Sequence, residues 1–299
     1  MRSMTVRRYG FAAALVLMTP LGLDAQPEAE WAAVEQAIGF KGAVQPGGVF
    51  RVGMPRSDLN VTVQGVRVSP GFALGSYAAF RKTGQRAMVM GDLVLLDEEV
   101  PAVMSGLLER GLSVTALHNH LNEMSPHVMY LHYSGQGDPL QLAQALRGAL
   151  GASGTPFGAK PAGGAEGPAI DQKQVEAVLG RTGRVANGIL QVVVGRAERI
   201  TEHGTELPPA MGVATALNFQ PTGDGKAAIT GDFVLIAPEV NTVARALRAH
   251  RIQVTAIHNH ALSDAPRLVY MHFWANDDAV TLARGLRAAL DATNSTKAK

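Results

Sequence analysis

The chain repeats itself at a constant offset of 140 positions, and this repeat constrains its fold more than any other feature. Residues 91–150 align with residues 231–290 without a gap. The clearest match is Val-Thr-Ala-Leu-His-Asn-His at 114–120 with Val-Thr-Ala-Ile-His-Asn-His at 254–260. A period of this length is too long for a solenoid. We therefore predict two copies of one domain, related by a pseudo-twofold axis.

The repeat and the composition around it divide the chain into four parts. Residues 1–25 form a predicted signal peptide, residues 26–150 the first repeat domain and residues 169–299 the second. Residues 151–168, between the two domains, are rich in Gly, Ala and Pro and lack a periodic apolar face. This composition predicts a flexible linker.

The N-terminal segment has the pattern of an export signal. Three arginines precede an apolar run at residues 11–23, and a small residue, Ala25, follows. This order is typical of a secretory signal peptide. A membrane anchor is the alternative, but the apolar run is short for a membrane span. We expect cleavage near Ala25 and a periplasmic or secreted protein, with no transmembrane segment in the mature chain.

Charge and cysteine content exclude several classes of function. The full chain has a formal net charge of +2, and removal of residues 1–25 leaves 24 basic and 24 acidic side chains. A neutral mature chain gives no reason to expect a nucleic-acid surface. The sequence contains no cysteine. Disulfides, thiolate zinc sites, a cysteine nucleophile and a lipid-modified N-terminal cysteine are therefore excluded.

Each copy is predicted to be an α+β domain. Apolar periodicity predicts helices and strands in the first copy. The predicted helices cover 31–38, 98–110 and 139–150, and the predicted strands cover 49–52, 61–68, 87–96, 114–121 and 128–134. From Ala87 onward the order is β-α-β-β-α. We expect a mainly antiparallel sheet with helices on one face.

Six of the nine histidines form three repeat-related pairs. The pairs are His118 with His258, His120 with His260, and His132 with His272. Side chains two positions apart share one face of a strand. If the hairpin sets His118 opposite His132, the three imidazoles of a copy converge, as in three-histidine zinc sites with an open fourth position. Copper(II) or nickel would accept the same ligands, and a register slip of one residue would separate them.

Two carboxylate pairs are candidates for a supporting role. Asp92 and Asp232 each follow a glycine in a predicted strand, where they could orient an imidazole or act as a general base. A structural Gly-Asp turn or bulge is an equally good interpretation. Glu99 and Glu239 begin a helix, where a carboxylate is favoured by the helix dipole. His203, in a polar loop of the second copy, is a candidate for an additional ligand or a turn residue.

Several stretches resemble a known family. These stretches are 54–59, 90–95, 115–120, 200–204 and 271–276. They resemble the secreted lipoprotein family represented by LppY and LpqO, a bacterial domain of unknown function, across nearly the whole mature chain and in both copies. The chain departs from the lipoprotein members because it lacks the cysteine that would be acylated. The resemblance therefore implies export but not tethering to a membrane.

Three functions remain open from the sequence. The first is an exported protein that binds a transition metal, zinc or copper, through the six paired histidines. The second is a metal-dependent envelope hydrolase in which Asp92 or Asp232 helps to activate water. The third is a metal-free module that binds a cell-wall or small-molecule ligand, with structural histidines. Whether the protein is an enzyme is undecided at this stage.

Overall fold

A computed structural model of the chain describes residues 27–158, called the first half below, and residues 170–297, called the second half. The predicted signal peptide at residues 1–25 lies outside the described residues. Within the two halves, no helix combines the length and the apolar character needed to cross a membrane.

The first half contains nine strands and four α-helices. The helices are α1 (Pro27–Ile38), α2 (Pro70–Ala73), α3 (Val100–Glu109) and α4 (Pro139–Leu150). The strands are β1 (Gly42–Gln45), β2 (Val49–Pro55), β3 (Val61–Val63), β4 (Val66–Val68), β5 (Gly75–Thr83), β6 (Arg86–Leu96), β7 (Ser113–His118), β8 (Met124–Ser125) and β9 (Val128–Gly137).

The second half repeats this order with small changes. Its helices are α5 (Gln172–Leu179), α6 (Val240–Ala249) and α7 (Ala279–Leu290). Its strands are β10 (Arg184–Ala186), β11 (Ile189–Gly195), β12 (Thr201–Glu202), β13 (Thr205–Glu206), β14 (Ala214–Gly223), β15 (Lys226–Leu235), β16 (Gln253–His258), β17 (Asp264–Ala265) and β18 (Val269–Asp278). A short 3-10 turn, Pro209–Met211, replaces α2.

Each half is built on a six-stranded antiparallel sheet, which confirms the predicted α+β class. The strand order is β1-β2-β5-β6-β9-β7 in the first half and β10-β11-β14-β15-β18-β16 in the second. All neighbouring strands of both sheets are antiparallel. Strands β7 and β16, which end in histidines, are therefore the edge strands of their sheets.

The two faces of each sheet have different partners. Alternate residues of the first sheet, such as Leu93 and Leu131, pack with α1, α3 and α4 in one apolar core. Residues of the opposite parity, such as Val94 and Tyr130, pack in a core that also contains Trp274 of the second half. A further mixed core joins residues of both halves. The halves thus meet through the sheet faces that are turned away from the helices.

Some elements differ from the sequence prediction. Strand β5 was not anticipated, because it is covered on both faces over much of its length and so lacks a clear period of two. The predicted strand at 61–68 is instead a small hairpin, since Gln64 and Gly65 take positive φ angles in the turn between β3 and β4. Helix α4 begins as predicted, with the Asp138 side chain accepting a hydrogen bond from the backbone N–H of Gln141 at 2.9 Å.

The predicted linker at 151–168 is only partly described. Its first residues pack against the first half: Gly154 donates a backbone hydrogen bond to Glu99 at 2.6 Å, and Thr155 is buried. The ring of Phe157 lies 5.5 Å from that of Phe40, centroid to centroid. Residues 159–168 of the predicted linker lie outside the described residues.

Because the halves share apolar cores, we expect them to unfold together. Trp274 is buried, lies 6.2 Å from the ring of Phe72, and donates a hydrogen bond to Gln64 at 3.1 Å. We expect Trp274→Ala to lower the free energy of unfolding by about 3–5 kcal/mol in a single guanidinium transition. Leu108→Ala, at an exposed position, is the control and should change it by less than about 0.5 kcal/mol. Two separate transitions, with only one of them shifted by Trp274→Ala, would contradict this expectation.

Candidate metal centre

The six repeat-related histidines meet in one cluster between the two sheets, here called the histidine cluster. His118 and His258 are the last residues of β7 and β16, His120 and His260 follow two positions later, and His132 and His272 lie within β9 and β18. The closest rings belong to different halves. Ring centroids are 3.3 Å apart for His118 and His258, 3.6 Å for His120 and His272, and 3.7 Å for His132 and His260. The copies thus interleave their imidazoles instead of forming two separate triads.

The hairpin register differs from the prediction by two residues. His118 pairs with Tyr130, and Ala116, not His118, lies opposite His132. A shift of two positions keeps every side chain on the same face of the sheet, whereas a shift of one would not. The three histidines of the copy therefore still face the same side. His120 stacks on the ring of Tyr130, with centroids 3.3 Å apart.

A pair of threonines, Thr115 and Thr255, connects the two copies at the cluster by hydrogen bonds. The register of β7 and of β16 shifts at Thr115 and Thr255, so neither residue has a cross-strand partner. The Thr115 hydroxyl donates to the carbonyl of His260 at 2.6 Å, and the Thr255 hydroxyl donates to that of His120 at 2.5 Å. The two bonds are reciprocal, as a pseudo-twofold axis requires. In the sequence, the indication that these threonines pair was their separation of 140 positions, the same offset as the repeat.

Backbone carbonyls fix the protonation of three rings. His118 donates from Nδ1 to the carbonyl of Asn119 at 3.0 Å, and His258 donates in the same way to Asn259 at 3.1 Å. His272 donates from Nδ1 to the carbonyl of Gly231 at 3.0 Å. Because a carbonyl only accepts, each of these Nδ1 atoms carries a hydrogen, and in the neutral His118 and His258 rings Nε2 carries the lone pair. This arrangement is the one that orients a histidine as a metal ligand.

Burial keeps five of the six rings neutral. Removal from water lowers the pKa of His118 to about 4 and that of His258 to about 3. Burial lowers the pKa values of His120, His132 and His260 well below the ordinary range, and the neighbouring imidazoles add to this effect because protonated rings would repel one another. At neutral pH these five rings are therefore uncharged bases.

All six Nε2 atoms are shielded from solvent and have no hydrogen-bond partner among the described residues. A buried polar atom without a partner costs about 1–3 kcal/mol. The donor atoms also lie close enough to share an ion: those of His118, His120, His258 and His272 lie within 4.8 Å of one another, as do those of His118, His132 and His260. Imidazole nitrogens are suitable ligands for zinc, copper and nickel. The cluster could therefore hold a metal ion.

The two candidate aspartates occupy different environments. Asp92 lies opposite His132 in the sheet, with Oδ1 3.7 Å from His132 Nε2 and Oδ2 3.8 Å from His120 Nε2. Burial, together with the nearby Asp232, raises the pKa of Asp92 well above its ordinary value. Burial also acts to raise the pKa of Asp232, but attraction to His272, whose Nδ1 lies 2.7 Å away, holds that pKa below its ordinary value.

The glycine before each aspartate is required by a close approach in the sheet. A Cβ atom at Gly91 would collide with the backbone oxygen of Tyr77, and one at Gly231 would collide with that of Ala216. Both glycines lie inside continuous antiparallel pairing with the neighbouring sheet strands, not in a turn. The Gly-Asp pair thus lets a central strand approach its neighbour closely while the carboxylate faces the histidine cluster.

The remaining histidines lie outside the cluster. His203 takes a positive φ angle in the turn between β12 and β13, with Ser263 Oγ 3.3 Å from its Nε2. It is a turn residue and adds no ligand to the cluster. His127 is exposed and pairs with Asp97 at 2.9 Å, and His250 ends α6.

Both halves match the model of a single protein family. Residues 32–152 and residues 173–292 each match the family described as Domain of Unknown Function (DUF1259). The chain belongs to the DUF1259 family. The tandem arrangement seen in the repeat is thus two DUF1259 domains in one chain. No protein of curated function matches the sequence.

Three solved structures are similar to the DUF1259 chain, and two of them are named as microcompartment shell proteins. A trimeric bacterial microcompartment shell protein, PduB, matches with 13% identity over 85% of this chain and 91% of its own, at a TM-score of 0.23. A double-ringed trimeric shell protein from the RMM microcompartment matches with 11% identity over 70% of this chain and 84% of its own, at a TM-score of 0.19. EtuB from Clostridium kluyveri matches with 10% identity over 85% of this chain and 91% of its own, at a TM-score of 0.20. Superpositions this poor carry no argument about function.

Each DUF1259 domain also contains a buried arginine that the sequence analysis did not single out. Arg56 is fully buried and donates to Asp58, to the carbonyl of Val94 at 2.9 Å, and to Glu99 at 2.6 Å. Arg196 makes the equivalent bonds to Glu198, Val234 and Glu239. These arginines are also 140 positions apart, so the repeat itself indicated them. Glu99 and Glu239 are therefore structural carboxylates, away from the histidine cluster.

We expect Glu99 to be a main determinant of stability in the first DUF1259 domain. Glu99→Gln keeps the shape of the side chain but removes the charge beside buried Arg56. It should lower the free energy of unfolding by about 3–5 kcal/mol, because it leaves a buried cation short of a partner. Glu98→Gln, at the exposed neighbouring position, should change that free energy by less than about 0.5 kcal/mol. Equal effects of the two variants in a urea titration would show that the Arg56 pair is not stabilising.

Proposed function

We propose that this DUF1259 protein is exported and binds a transition metal, zinc or copper, in the histidine cluster, to sequester or deliver it. The observation that carries the proposal is the convergence of six buried Nε2 atoms without hydrogen-bond partners among the described residues. Metal coordination would give partners to these atoms, and nothing else among the described residues does so.

The donor chemistry narrows the class of ion. The chain has no cysteine, and its methionines are scattered, so the soft ligands that select copper(I) are not gathered here. Neutral imidazoles, with one carboxylate close by, suit zinc and copper(II). Nickel accepts the same nitrogen ligands. Which of these metals binds would therefore depend on the coordination geometry that the cluster allows and on the concentration of each ion around the protein.

Binding is favoured over hydrolysis because the donor atoms are shielded. A catalytic zinc keeps one coordination position open to water and substrate. Here all six Nε2 atoms are shielded from solvent, although the side chains of His118, His120 and His258 are only partly buried. Asp92 supports the second candidate, a metal-dependent envelope hydrolase, because its buried carboxylate lies beside two of the histidines. Hydrolytic activity that is lost on chelation would favour this alternative.

Export is part of the proposal. It is supported by the arginines and the apolar run of residues 1–25, with cleavage near Ala25, and by the resemblance to the secreted LppY and LpqO proteins. Outside the cytoplasm the protein would meet metal ions arriving from the environment. The ligand of a metal-free module, the third function considered above, would instead be a cell-wall component or a small molecule.

Calorimetry on protein purified without a histidine tag tests the metal proposal. We expect zinc or copper(II) to bind the wild type, and the double variant His118→Ala, His258→Ala to bind at least about 100-fold more weakly, since loss of an outer-shell partner alone costs 10–100-fold. His127→Ala combined with His203→Ala is the matched control, because both residues lie outside the cluster, and should bind as the wild type does. Unchanged binding by the cluster variant would refute the proposal.

Chelation separates the metal-binding function from the metal-free one. A ligand that binds only the folded state at 100 times its Kd stabilises it by about 2.7 kcal/mol. We therefore expect added metal to raise the Tm of the wild type and a chelator to reverse the rise, with no effect on the double variant. Protein isolated without metal, whose Tm is insensitive to both metal and chelator, would favour the metal-free module.

A further inference from the structure

We propose that the histidine cluster is a two-metal centre in which the carboxylate of Asp92 bridges the two ions. This inference rests on the proposed metal-binding function and deepens it, because it states how many ions one chain takes and which residue joins them.

The six rings are arranged as three pairs, each with one ring from either half. His118 and His258 are related to each other by the repeat, so their pair lies on the pseudo-twofold axis. The pair of His120 with His272 and the pair of His260 with His132 are exchanged by the same axis and lie on either side of it. Ring centroids of His120 and His132 are 6.4 Å apart. The cluster therefore has two equivalent sides and a shared middle.

Each side has the ligands for one ion. Two sets of imidazole donors lie within 4.8 Å of one another, namely His118, His120, His258 and His272, and His118, His132 and His260. A third set, Asp92 with His120 and His132, joins one histidine from each of them. The flanking pairs belong to different imidazole sets, and the axial residue His118 belongs to both. The pair on the axis, His118 and His258, is divided between the two ions. His120 and His272 hold one ion, and His132 and His260 hold the other.

The number of donors favours two ions over one. A tetrahedral ion takes four ligands, so a single ion would leave at least two of the six buried Nε2 atoms without a partner. Two such ions take eight donors. The six imidazoles together with the two oxygens of one carboxylate supply eight, which leaves none of these nitrogens unpaired.

Asp92 is positioned to be that carboxylate. Its Oδ2 lies 3.8 Å from His120 Nε2, and its Oδ1 lies 3.7 Å from His132 Nε2. Each oxygen thus faces a histidine of a different set. Oδ1 is buried and, like the imidazole nitrogens, has no hydrogen-bond partner among the described residues. Metal ions in two-metal sites lie about 3.5–4 Å apart, a separation that suits one carboxylate binding an ion through each oxygen.

Asp232 has a different role, although it is the repeat partner of Asp92. Its Oδ1 lies 2.7 Å from Nδ1 of His272, so it orients that ring and is already engaged. The surroundings also differ: Arg51 stacks over Tyr77 at 3.6 Å beside Asp92, whereas the residues at the equivalent sheet positions of the second half are Gln191 and Ala216. We therefore assign Asp92 as the bridging ligand and Asp232 as a positioning residue.

Copper(II) titration of the tag-free mature protein, followed by desalting, tests this assignment. Elemental analysis should find two copper ions per chain. The electron paramagnetic resonance spectrum should then have much less intensity than two isolated copper(II) ions give, because bridged ions couple magnetically. Zinc titrated alone should also bind at two per chain, which checks the stoichiometry without a variant.

The matched pair of variants is Asp92→Asn and Asp232→Asn, with folding checked by circular dichroism. Asp92→Asn should lose the magnetic coupling or the second ion, whereas Asp232→Asn should keep two coupled ions with weaker affinity. One ion per chain with the full signal of an isolated copper would overturn the two-metal proposal but leave metal binding intact. No ion in the wild type would overturn both, and coupling unchanged in Asp92→Asn would overturn the bridging role.

Discussion

Contact between the two sheets is the interaction on which the rest of the structure depends. Each six-stranded sheet has one face covered by helices and a second face that is largely apolar but carries histidines and an aspartate. That second face is removed from water by the other half together with the small three-stranded sheet of its own half. The apolar residues drive this contact, and the polar residues are carried into the interior with it. The histidine cluster is therefore a product of the same packing that makes the two halves one structure.

Much of this fold could be predicted from the sequence, because its determinants are local. The repeat at 140 positions gave the two halves, and the period of two gave the shared face of His118, His120 and His132. Strand β5 was missed because burial on both faces removes that period. The hairpin register was wrong by two residues because the connection between β7 and β9 contains β8, which pairs with β3 and so lengthens the loop.

The composition of the site could not be predicted in the same way. Nothing in one copy indicates that His120 lies closer to His272 than to His132, since this depends on how two sheets stack. The role of Arg56 was also hidden, because its partners lie at positions 58, 94 and 99 and meet only in the folded domain. Local pattern thus identified the residues that gather in the histidine cluster, and tertiary packing decided which rings lie next to one another.

The pairing of rings across the axis has a consequence for how such a protein could arise. An isolated copy of the domain holds only half of the site, so an ancestor with one copy could assemble the complete site only as a symmetric homodimer. Fusion of two copies in one gene removes the need for that symmetry. The two members of a pair can then diverge, and Asp92 and Asp232, equivalent in sequence but unequal in their contacts, are an example of such divergence.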